Sequence, residues 1–292
     1  MLLCVRNGAA TLAGQLRALA AQDHDAPWEL VLVDNGSTDG SAAILQRWAD
    51  SVPQVRIVDE PVRGLNRSRN AGVAASRSGT ILCCDADDEV TPGWLEAMTT
   101  ALRRFDVVGA ALDPTRINGA TPRVDSLQRT ELPTVFGRPY SMGAALGFRR
   151  TTFDTVGGFD ESFDFGSDDA DFCLRAQYEG LSIAFEPRAV VDYRTRSRAA
   201  DVMRQRFGYG RGHERLVAKH AELGRIVSRP LQRWKGATVA SVRLVANTPM
   251  VMSRKTRLQY LASAAHLAGR VTQLGADAME TRGTLLQRPR LP

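Results

Sequence analysis

The chain has 292 residues, of which 43% are hydrophobic and 24% charged, so it can bury a sizeable core like an ordinary globular protein. No apolar stretch approaches the roughly 18 to 20 residues that cross a bilayer, and no charged segment followed by an apolar one opens the chain, so neither a membrane span nor a signal peptide is expected. The four cysteines lack the paired spacing of a zinc site, which fits free thiols in a reducing cytoplasm.

Four short apolar runs, each bounded by polar or turn residues, predict buried strands. They are Leu2 to Val5, Leu30 to Val33, Val55 to Val58 and Ile81 to Cys84. The intervening segments Thr11 to Ala21 and Ser41 to Ala49 have helical periodicity. Alternating strands and helices predict an α/β fold with a mostly parallel central sheet flanked by helices.

Beyond about residue 200 the pattern changes to helices rich in Arg and Ala, over Val202 to Gly224 and Thr256 to Met279, with Pro230 and Pro249 as breaks. We therefore predict one domain over residues 1–200 and a basic helical C-terminal extension over residues 201–292. The charge divides similarly: 18 basic and 27 acidic residues precede Arg194, whereas 20 basic and 5 acidic residues follow from it. This imbalance predicts a basic face for an anionic partner.

Four carboxylates follow the fourth predicted strand, in Asp85-Ala86-Asp87-Asp88-Glu89. Carboxylates this close raise each other's pKa unless a cation neutralises them, and Mg²⁺ and Mn²⁺ prefer oxygen ligands. The segment therefore indicates a metal site that bridges a diphosphate. An acidic turn without a metal is the alternative for this motif taken alone.

Two polar turns follow predicted strands of the sheet. The segment from Asp34 to Ser41 follows the second strand, where short side chains either cap a helix or bind a base or ribose. The segment from Gly64 to Gly72 contains Arg67 and Arg69, which either face a diphosphate or lie on the solvated surface. A helix is predicted from Ala71 to Ser76.

A fourth element joins Gly157-Gly158-Phe159-Asp160-Glu161 to the acidic start of a helix at Asp168-Asp169-Ala-Asp171. Negative side chains favour a helix N-terminus, which accounts for one or two of these carboxylates. Three within four residues indicate that one is a general base toward an acceptor hydroxyl.

In this order and spacing, the segments VRNGAATL, VLVDNGSTDGS, GLNRSRNAG, CDADDE, GAALGFRR, GGFDESF and DDADFCLRA resemble family 2 glycosyltransferases of the GT-A, or nucleotide-diphospho-sugar transferase, fold. The resemblance covers about residues 2 to 196. It implies a hexosyltransferase-type enzyme that inverts configuration, as most of the family do, and that uses Mn²⁺ or Mg²⁺ and a UDP-, GDP- or dTDP-sugar. A glycan or lipid-linked acceptor, and a role in cell-wall or polysaccharide synthesis, would follow.

The resemblance also implies roles for individual residues. Asp34 would contact the nucleobase, Asp85 would lie near the ribose, diphosphate and metal, and Asp87 would ligate the metal. Asp169 would be the catalytic base, with Asp168 in the place commonly held by Glu. The remaining donor-binding candidates are Asn7, Arg67, Arg69, Asn70, Ala86 and Arg194.

One position departs from the family pattern. Many relatives carry a His after the last core strand, where this chain has Tyr193, a poor ligand for a hard ion at neutral pH. Contact with the diphosphate would then fall to Arg194 or Arg196, or Asp192 would take part.

Three other function classes compete with this interpretation. A sugar nucleotidyltransferase would need a Gly-rich loop after the first strand, where Asn7-Gly8-Ala-Ala-Thr11 stands instead. A nucleic-acid-binding protein lacks a supporting motif, so no nucleic acid is expected. A silent GT-A scaffold is disfavoured by the intact carboxylates. The basic stretch from Arg204 to Arg215 either touches anionic lipid or a phosphate-bearing acceptor, or is a solvated helix face. Contact with anionic lipid would place the chain at the inner face of the plasma membrane.

Overall fold

The computed structural model describes residues 1–118, 130–164, 166–226, 233–240 and 254–286. The chain forms two compact units. The first contains Met1–Ser162 and Asp168–Thr195, and the second contains Phe163–Ser167 and Arg196–Pro292. The predicted boundary after residue 200 stays a prediction. Pro230 and Pro249, expected to break helices, lie outside the described residues.

The first unit is built around an eight-stranded sheet of order β3-β2-β1-β4-β9-β6-β10-β5, and a separate hairpin pairs β7 with β8. The strands are β1 (Leu2–Val5), β2 (Leu30–Asp34), β3 (Val55–Asp59), β4 (Thr80–Asp85), β5 (Glu89–Val90), β6 (Val107–Asp113), β7 (Thr134–Val135), β8 (Arg138–Pro139), β9 (Ala145–Arg149) and β10 (Ile183–Asp192).

Helices cover both faces of this sheet. They are α1 (Leu12–Ala20), α2 (Ser41–Ser51), α3 (Leu65–Ala75), α4 (Trp94–Leu102), α5 (Arg150–Val156) and α6 (Asp168–Tyr178). Leu3 packs with α1 and α4 in one apolar cluster, whereas Leu2 packs with α3 and α6 in another. Because successive side chains of a strand point to opposite faces, these strands are apolar throughout.

The sheet is mostly parallel, as predicted, but it contains a reversal that the apolar pattern did not indicate. β9 runs antiparallel to both β4 and β6, and Ala145 at its start pairs with Cys84. The residues just before β9 therefore lie at the carboxyl end of β4, next to Asp85. This reversal brings residues 141–144 to the edge where the predicted site residues stand.

Helix α3 begins at Leu65, six residues before the predicted start. The Asn35 side chain sets the loop before it, because its Oδ1 accepts the Gly64 N–H at 2.9 Å and its Nδ2 donates to the carbonyls of Glu60 and Val62. Arg67, Arg69 and Asn70 consequently lie within a helix and not in a turn.

The second unit contains α7 (Ala199–Glu222), a helical stretch α8 over residues 233–240, and α9 (Arg254–Leu286). Two glycines allow α7 and α9 to pack closely, because a Cβ on Gly210 would collide with the His266 carbonyl and one on Gly269 with that of Phe207. The buried Glu214 carboxylate pairs with Arg233 of α8 and Arg270 of α9. Within the described residues, no helix is long and apolar enough to cross a membrane.

Candidate active site

The loops after β1 and β2 are tied together by hydrogen bonds. Asn7, which has a φ of 52°, accepts the Thr38 N–H at its Oδ1 at 2.8 Å, and its own N–H donates to Ser37 Oγ. Asp39 accepts the N–H groups of Ala9 and Ser41. Asn7 thus holds the two loops at the edge where the donor was expected, and its predicted contact with the donor stays a prediction.

Asp34 ends β2 at the same edge of the sheet. Its Oδ1 accepts the Ser37 N–H at 3.1 Å, and its carboxylate is half-buried. This bond tightens the turn into α2 and fixes the carboxylate beside the β1–α1 loop. The expected contact with a nucleobase is compatible with that position.

The acidic turn after β4 gathers its carboxylates into one cluster. Asp85, Asp87 and Asp88 each present an oxygen, and these atoms lie within 4.8 Å of one another. Asp85, Ala86 and Asp87 are half-buried, whereas Asp88 is only 1% exposed. Hard divalent cations bind clusters of carboxylate oxygens. The cluster fits a DxD-type metal site.

Gln15 of α1 supports this turn and was not singled out from the sequence. The side chain is fully buried, its Nε2 donates to the Asp85 carbonyl at 2.9 Å, and its Oε1 accepts the Val90 N–H at 3.0 Å. A signal for it existed, because position 15 lies on the same helix face as Leu12, Leu16 and Leu19. A polar side chain on an apolar face needs a partner.

Arg194 lies directly against the acidic turn. Its N–H donates to Asp88 Oδ1 and its Nε to the Asp87 carbonyl, both at 2.7 Å, and its Nη2 lies 3.6 Å from Glu89 Oε1. The side chain is 30% exposed. A cation therefore lies beside the carboxylate cluster, and its expected contact with a diphosphate stays a prediction.

Tyr193, where the family resemblance had led us to expect His, packs its partly buried ring against the apolar core. Its carbonyl accepts from Asn118 Nδ2 at 2.6 Å, and Asn118 Oδ1 accepts the Thr195 N–H at 2.8 Å. Asp192 pairs with Arg116 and is 3% exposed. Burial raises the pKa of the Asp192 carboxyl, Arg116 opposes that shift, and Asp113 and Glu89 reinforce it.

Helix α3 holds the loop of residues 157–161 through several side chains. Asn70 donates from Nδ2 to the Phe159 carbonyl and accepts the Phe159 N–H at Oδ1, at 2.9 and 3.0 Å. Asn66 donates to the Asp160 carbonyl at 2.8 Å, and Arg67 pairs with Glu161 at 2.8 Å. Arg67 and Asn70, predicted at the donor, thus contact this loop, and their contact with the donor stays a prediction.

Arg69 points to the start of α6. Its Nη1 forms an ion pair with Asp168, and both side chains are nearly inaccessible, at 5% and 9% exposure. Burial acts to lower the pKa of the Arg69 guanidinium, but Asp168, Cys83 and Asp85 together raise it above its ordinary value. The guanidinium therefore lies electrostatically between the acidic turn and the acidic helix start.

Asp169, the predicted base, is half-buried and held by backbone amides. The Gly143 N–H donates to its Oδ2 and the Ala170 N–H to its Oδ1, both at 2.8 Å. Burial, and then the charge of Asp168, raise the pKa of the Asp169 carboxyl to about 7, against the opposing effects of Gly143, Arg69 and Ala170. A carboxylate with this pKa can accept a proton near neutral pH.

This edge of the sheet thus carries the acidic cluster with Arg194 beside it. The Asp169 carboxylate of α6, with its raised pKa, is held at the same edge by the Gly143 N–H. A sheet of this order with this edge defines the class of GT-A-fold glycosyltransferases, and solved structures agree. The mannosyltransferase PcManGT from Pyrobaculum calidifontis, in complex with GDP-Man and Mn²⁺, superposes with a TM-score of 0.65 at 19% identity over 94% of this chain and 86% of that one. S. aureus TarS 1-349 superposes with a TM-score of 0.54 at 17% identity over 96% and 90%.

Residues 1–159 match the sequence model of the family described as Glycosyl transferase family 2, and the chain belongs to that family. It is 26% identical over 211 residues to the succinoglycan biosynthesis protein ExoA of Rhizobium meliloti, covering 65% of this chain and 61% of that protein's length. It is 25% identical over 219 residues to the glycosyltransferase AglE of Haloferax volcanii, covering 73% and 71%.

Proposed function

We propose that this chain transfers a sugar, of hexose type, from a nucleoside diphosphate sugar to a hydroxyl of a glycan or lipid-linked acceptor. The observation that supports this most is the common sheet edge. It places the carboxylates of Asp85, Asp87 and Asp88 at the end of β4, and the amide that holds Asp169 just before the neighbouring strand β9. Donor and acceptor chemistry require these two groups side by side.

The side chains of the acidic turn, where the donor would bind, are of the kind that bind a divalent cation. Asp85 and Asp87, with Asp88 beside them, would hold Mn²⁺ or Mg²⁺, because their oxygens lie within 4.8 Å of one another and such ions prefer oxygen. The bound ion would stabilise the negative charge of a leaving diphosphate. The structure of PcManGT, solved with GDP-Man and Mn²⁺, supports this assignment.

The remaining donor contacts follow from position. Asn7 lies in the loop after β1 and Asp34 ends β2, at the edge where a nucleobase of a UDP-, GDP- or dTDP-sugar would bind. Arg194 would contact the diphosphate from beside the acidic turn. Arg67 and Asn70 contact the loop of residues 157–161, and their contact with the donor remains part of this proposal.

The proposed reaction is a single displacement. An acceptor oxygen forms a bond to the anomeric carbon while the bond from that carbon to the diphosphate oxygen breaks, and its electron pair leaves with the diphosphate. Asp169 accepts the proton of the acceptor hydroxyl, and Arg194 compensates charge on the leaving group. Attack opposite the leaving group inverts the anomeric configuration.

The experiment that tests this function is calorimetric titration of UDP, GDP and dTDP and their sugars, with and without Mn²⁺. We expect one nucleotide to bind in a metal-dependent manner, and Asp87→Asn to lose that dependence. Asp154→Asn is the matched control, because Asp154 is an exposed carboxylate in α5. Absence of nucleotide binding under every condition would overturn the proposal in favour of a scaffold.

We further propose that the chain acts in the cytoplasm, in cell-surface glycan synthesis at the inner face of the plasma membrane. The basic charge of the second unit supports this proposal. This unit is strongly basic, and the Arg204 side chain is 79% exposed, whereas Arg211 turns to Gln273 of α9. We expect the chain to bind vesicles that contain anionic lipid, and Arg204→Glu with Arg206→Glu to weaken that binding. Equal binding to neutral and anionic vesicles would contradict this role.

A further inference from the structure

Arg69 is fixed in position from two sides. Its Nη1 donates to Asp168 Oδ2 and, at 3.4 Å, to Asn66 Oδ1, and its Cζ lies 5.2 Å from the centroid of the Phe159 ring. The residue is 4% exposed. An ion pair and an aromatic face together restrict a guanidinium more than either contact alone.

Gly143 brings this guanidinium close to the Asp169 carboxylate. A Cβ on Gly143 would collide with Nη2 of Arg69, so the guanidinium occupies the space that any other side chain would fill. On its other side, the Gly143 N–H donates to Asp169 Oδ2 at 2.8 Å. One glycine backbone therefore contacts both the cation and the carboxylate.

Within the described residues, the charged and titratable groups that act most strongly on Asp169 lie on α6 and α3. Asp168 and Cys173 lie with it on α6, and Arg69 reaches it from α3. Two adjacent carboxylates in a buried position oppose each other's ionisation, and a cation paired with one of them relieves that opposition. Arg69 therefore acts on Asp169 both through Asp168 and through Gly143.

We propose that Arg69 is a positioning residue for the catalytic base: by holding Asp168 and packing against Gly143, it orients the Asp169 carboxylate toward the acceptor. This inference rests on the proposed function, in which Asp169 takes the acceptor proton. It assigns Arg69 to the base, where the sequence had suggested a contact with the donor.

The test is a ¹³C NMR titration of the aspartate side-chain carboxyls, with the Asp169 resonance assigned from the Asp169→Asn spectrum. In Asp168→Asn a negative neighbour is removed and Arg69 remains, so we expect the pKa of Asp169 to fall by about one or more. In Arg69→Gln the cation that opposes the effect of Asp168 is removed, so we expect the pKa of Asp169 to rise above its wild-type value.

Two further variants separate positioning from general loss of structure. Gly143→Ala keeps the backbone N–H and changes no charge, but its Cβ displaces the guanidinium, so the Asp169 pKa should rise as the cation moves away from it. This variant replaces Arg69→Gln if that one does not fold. Arg188→Gln removes an exposed Arg, which pairs with the buried Glu186, and should leave the pKa of Asp169 unchanged. Unchanged titration of Asp169 in Asp168→Asn and Arg69→Gln would overturn the inference.

The NMR readout needs neither donor nor acceptor, so it separates this inference from the proposed function. Shifted titrations in a protein that binds no nucleotide would support the coupling of Arg69 to Asp169 and overturn the transferase assignment. Metal-dependent nucleotide binding with no shift in any variant would keep the assignment and overturn the coupling.

Discussion

The side chain of Gln15 bridges the two ends of the acidic turn, from the carbonyl of Asp85 to the N–H of Val90, at 2.9 and 3.0 Å. These two backbone groups belong to the last residues of β4 and β5. The Asp85, Asp87 and Asp88 carboxylates lie on the stretch of chain from one to the other. One buried amide on α1 thus sets the separation of the strand ends that carry the proposed metal site.

Replacing Gln15 by Leu should loosen this turn, because the side chain keeps its approximate size and loses both hydrogen bonds. Each buried group left without a partner costs about 1–3 kcal/mol. We expect metal-dependent nucleotide binding to weaken by about tenfold or more, which corresponds to about 1.4 kcal/mol. Calorimetric titration measures this effect, and Gln46→Leu on the exposed pair with Asp50 is the control. Equal nucleotide affinity in the two variants would show that the turn holds its shape without Gln15.

Arg194→Met should weaken binding of a nucleoside diphosphate more than binding of the corresponding nucleoside. The substitution removes the positive charge and the Nε bond to the Asp87 carbonyl, and it keeps the backbone bond to Asp88. Dissociation constants for the two ligands, measured against the exposed Arg198→Gln control, give the comparison. If both ligands lose affinity equally, Arg194 supports the turn and does not contact the diphosphate.

The rate of sugar transfer should depend on pH through Asp169. Its pKa is raised to about 7, so the carboxylate that accepts a proton predominates above that pH, and the rate should rise as the pH increases through about 7. Asp169→Asn should lower the rate by about 10²- to 10⁴-fold and leave donor affinity unchanged. Release of nucleoside diphosphate from the donor, followed from pH 5 to 9, measures both effects. A rate that is flat across this range would remove Asp169 from the role of base.

The same raised pKa has a consequence for stability. A carboxyl group whose folded pKa lies above its unfolded value of 3.8 destabilises the fold as the pH rises above that value, and the effect is complete above about 7. Asp169→Asn should therefore melt at a temperature no lower than the wild type at pH 8. A clearly lower melting temperature would mean that the Asp169 contacts outweigh its desolvation.

Gly72→Ala should destabilise the first unit, because α3 packs on β1 and β2 at this glycine. A Cβ there would collide with Leu2 Cδ1 and lie 2.9 Å from Val33 Cγ2. Overpacking of this kind costs about 1–3 kcal/mol. Urea unfolding measures the change, with Gly79→Ala as the control, because a Cβ at Gly79 meets no atom within 4 Å. Equal stability of the two variants would indicate that α3 can shift away from the sheet.

The periodicity of the sequence predicted β1, β2, β3 and β4 to within one residue at each end, and with them the edge where the site lies. Strands covered on both faces are apolar throughout, which makes them visible in a sequence. Strand direction is not encoded in that way, so the antiparallel β9 was not predicted. The start of α3 was also missed, because the side chain of Asn35, 29 residues before Gly64, holds the turn that precedes the helix.

The motifs predicted which carboxylates would carry the chemistry, and those roles stay predictions, but the motifs did not indicate which residues support these carboxylates. The bond from Gly143 to Asp169 and the pair of Arg69 with Asp168 join residues 26 and 99 positions apart. Such contacts arise only when the chain folds, and local spacing contains no trace of them. The fit of Asp85, Asp87 and Asp88 to a DxD-type metal site was predictable because the three carboxylates lie within four consecutive residues.

The four cysteines of the chain are free thiols, and Cys83 and Cys84 lie buried in β4, the strand that ends in Asp85. Burial raises the pKa of the Cys83 thiol to about 11, so very little of it is the reactive thiolate at neutral pH. We therefore expect an alkylating reagent to react with Cys83 only when β4 separates from the neighbouring strands. The rate at which Cys83 is labelled would measure how often β4, the strand that ends at the acidic turn, separates from its neighbours. A donor that slows this labelling would be detected without any knowledge of the acceptor.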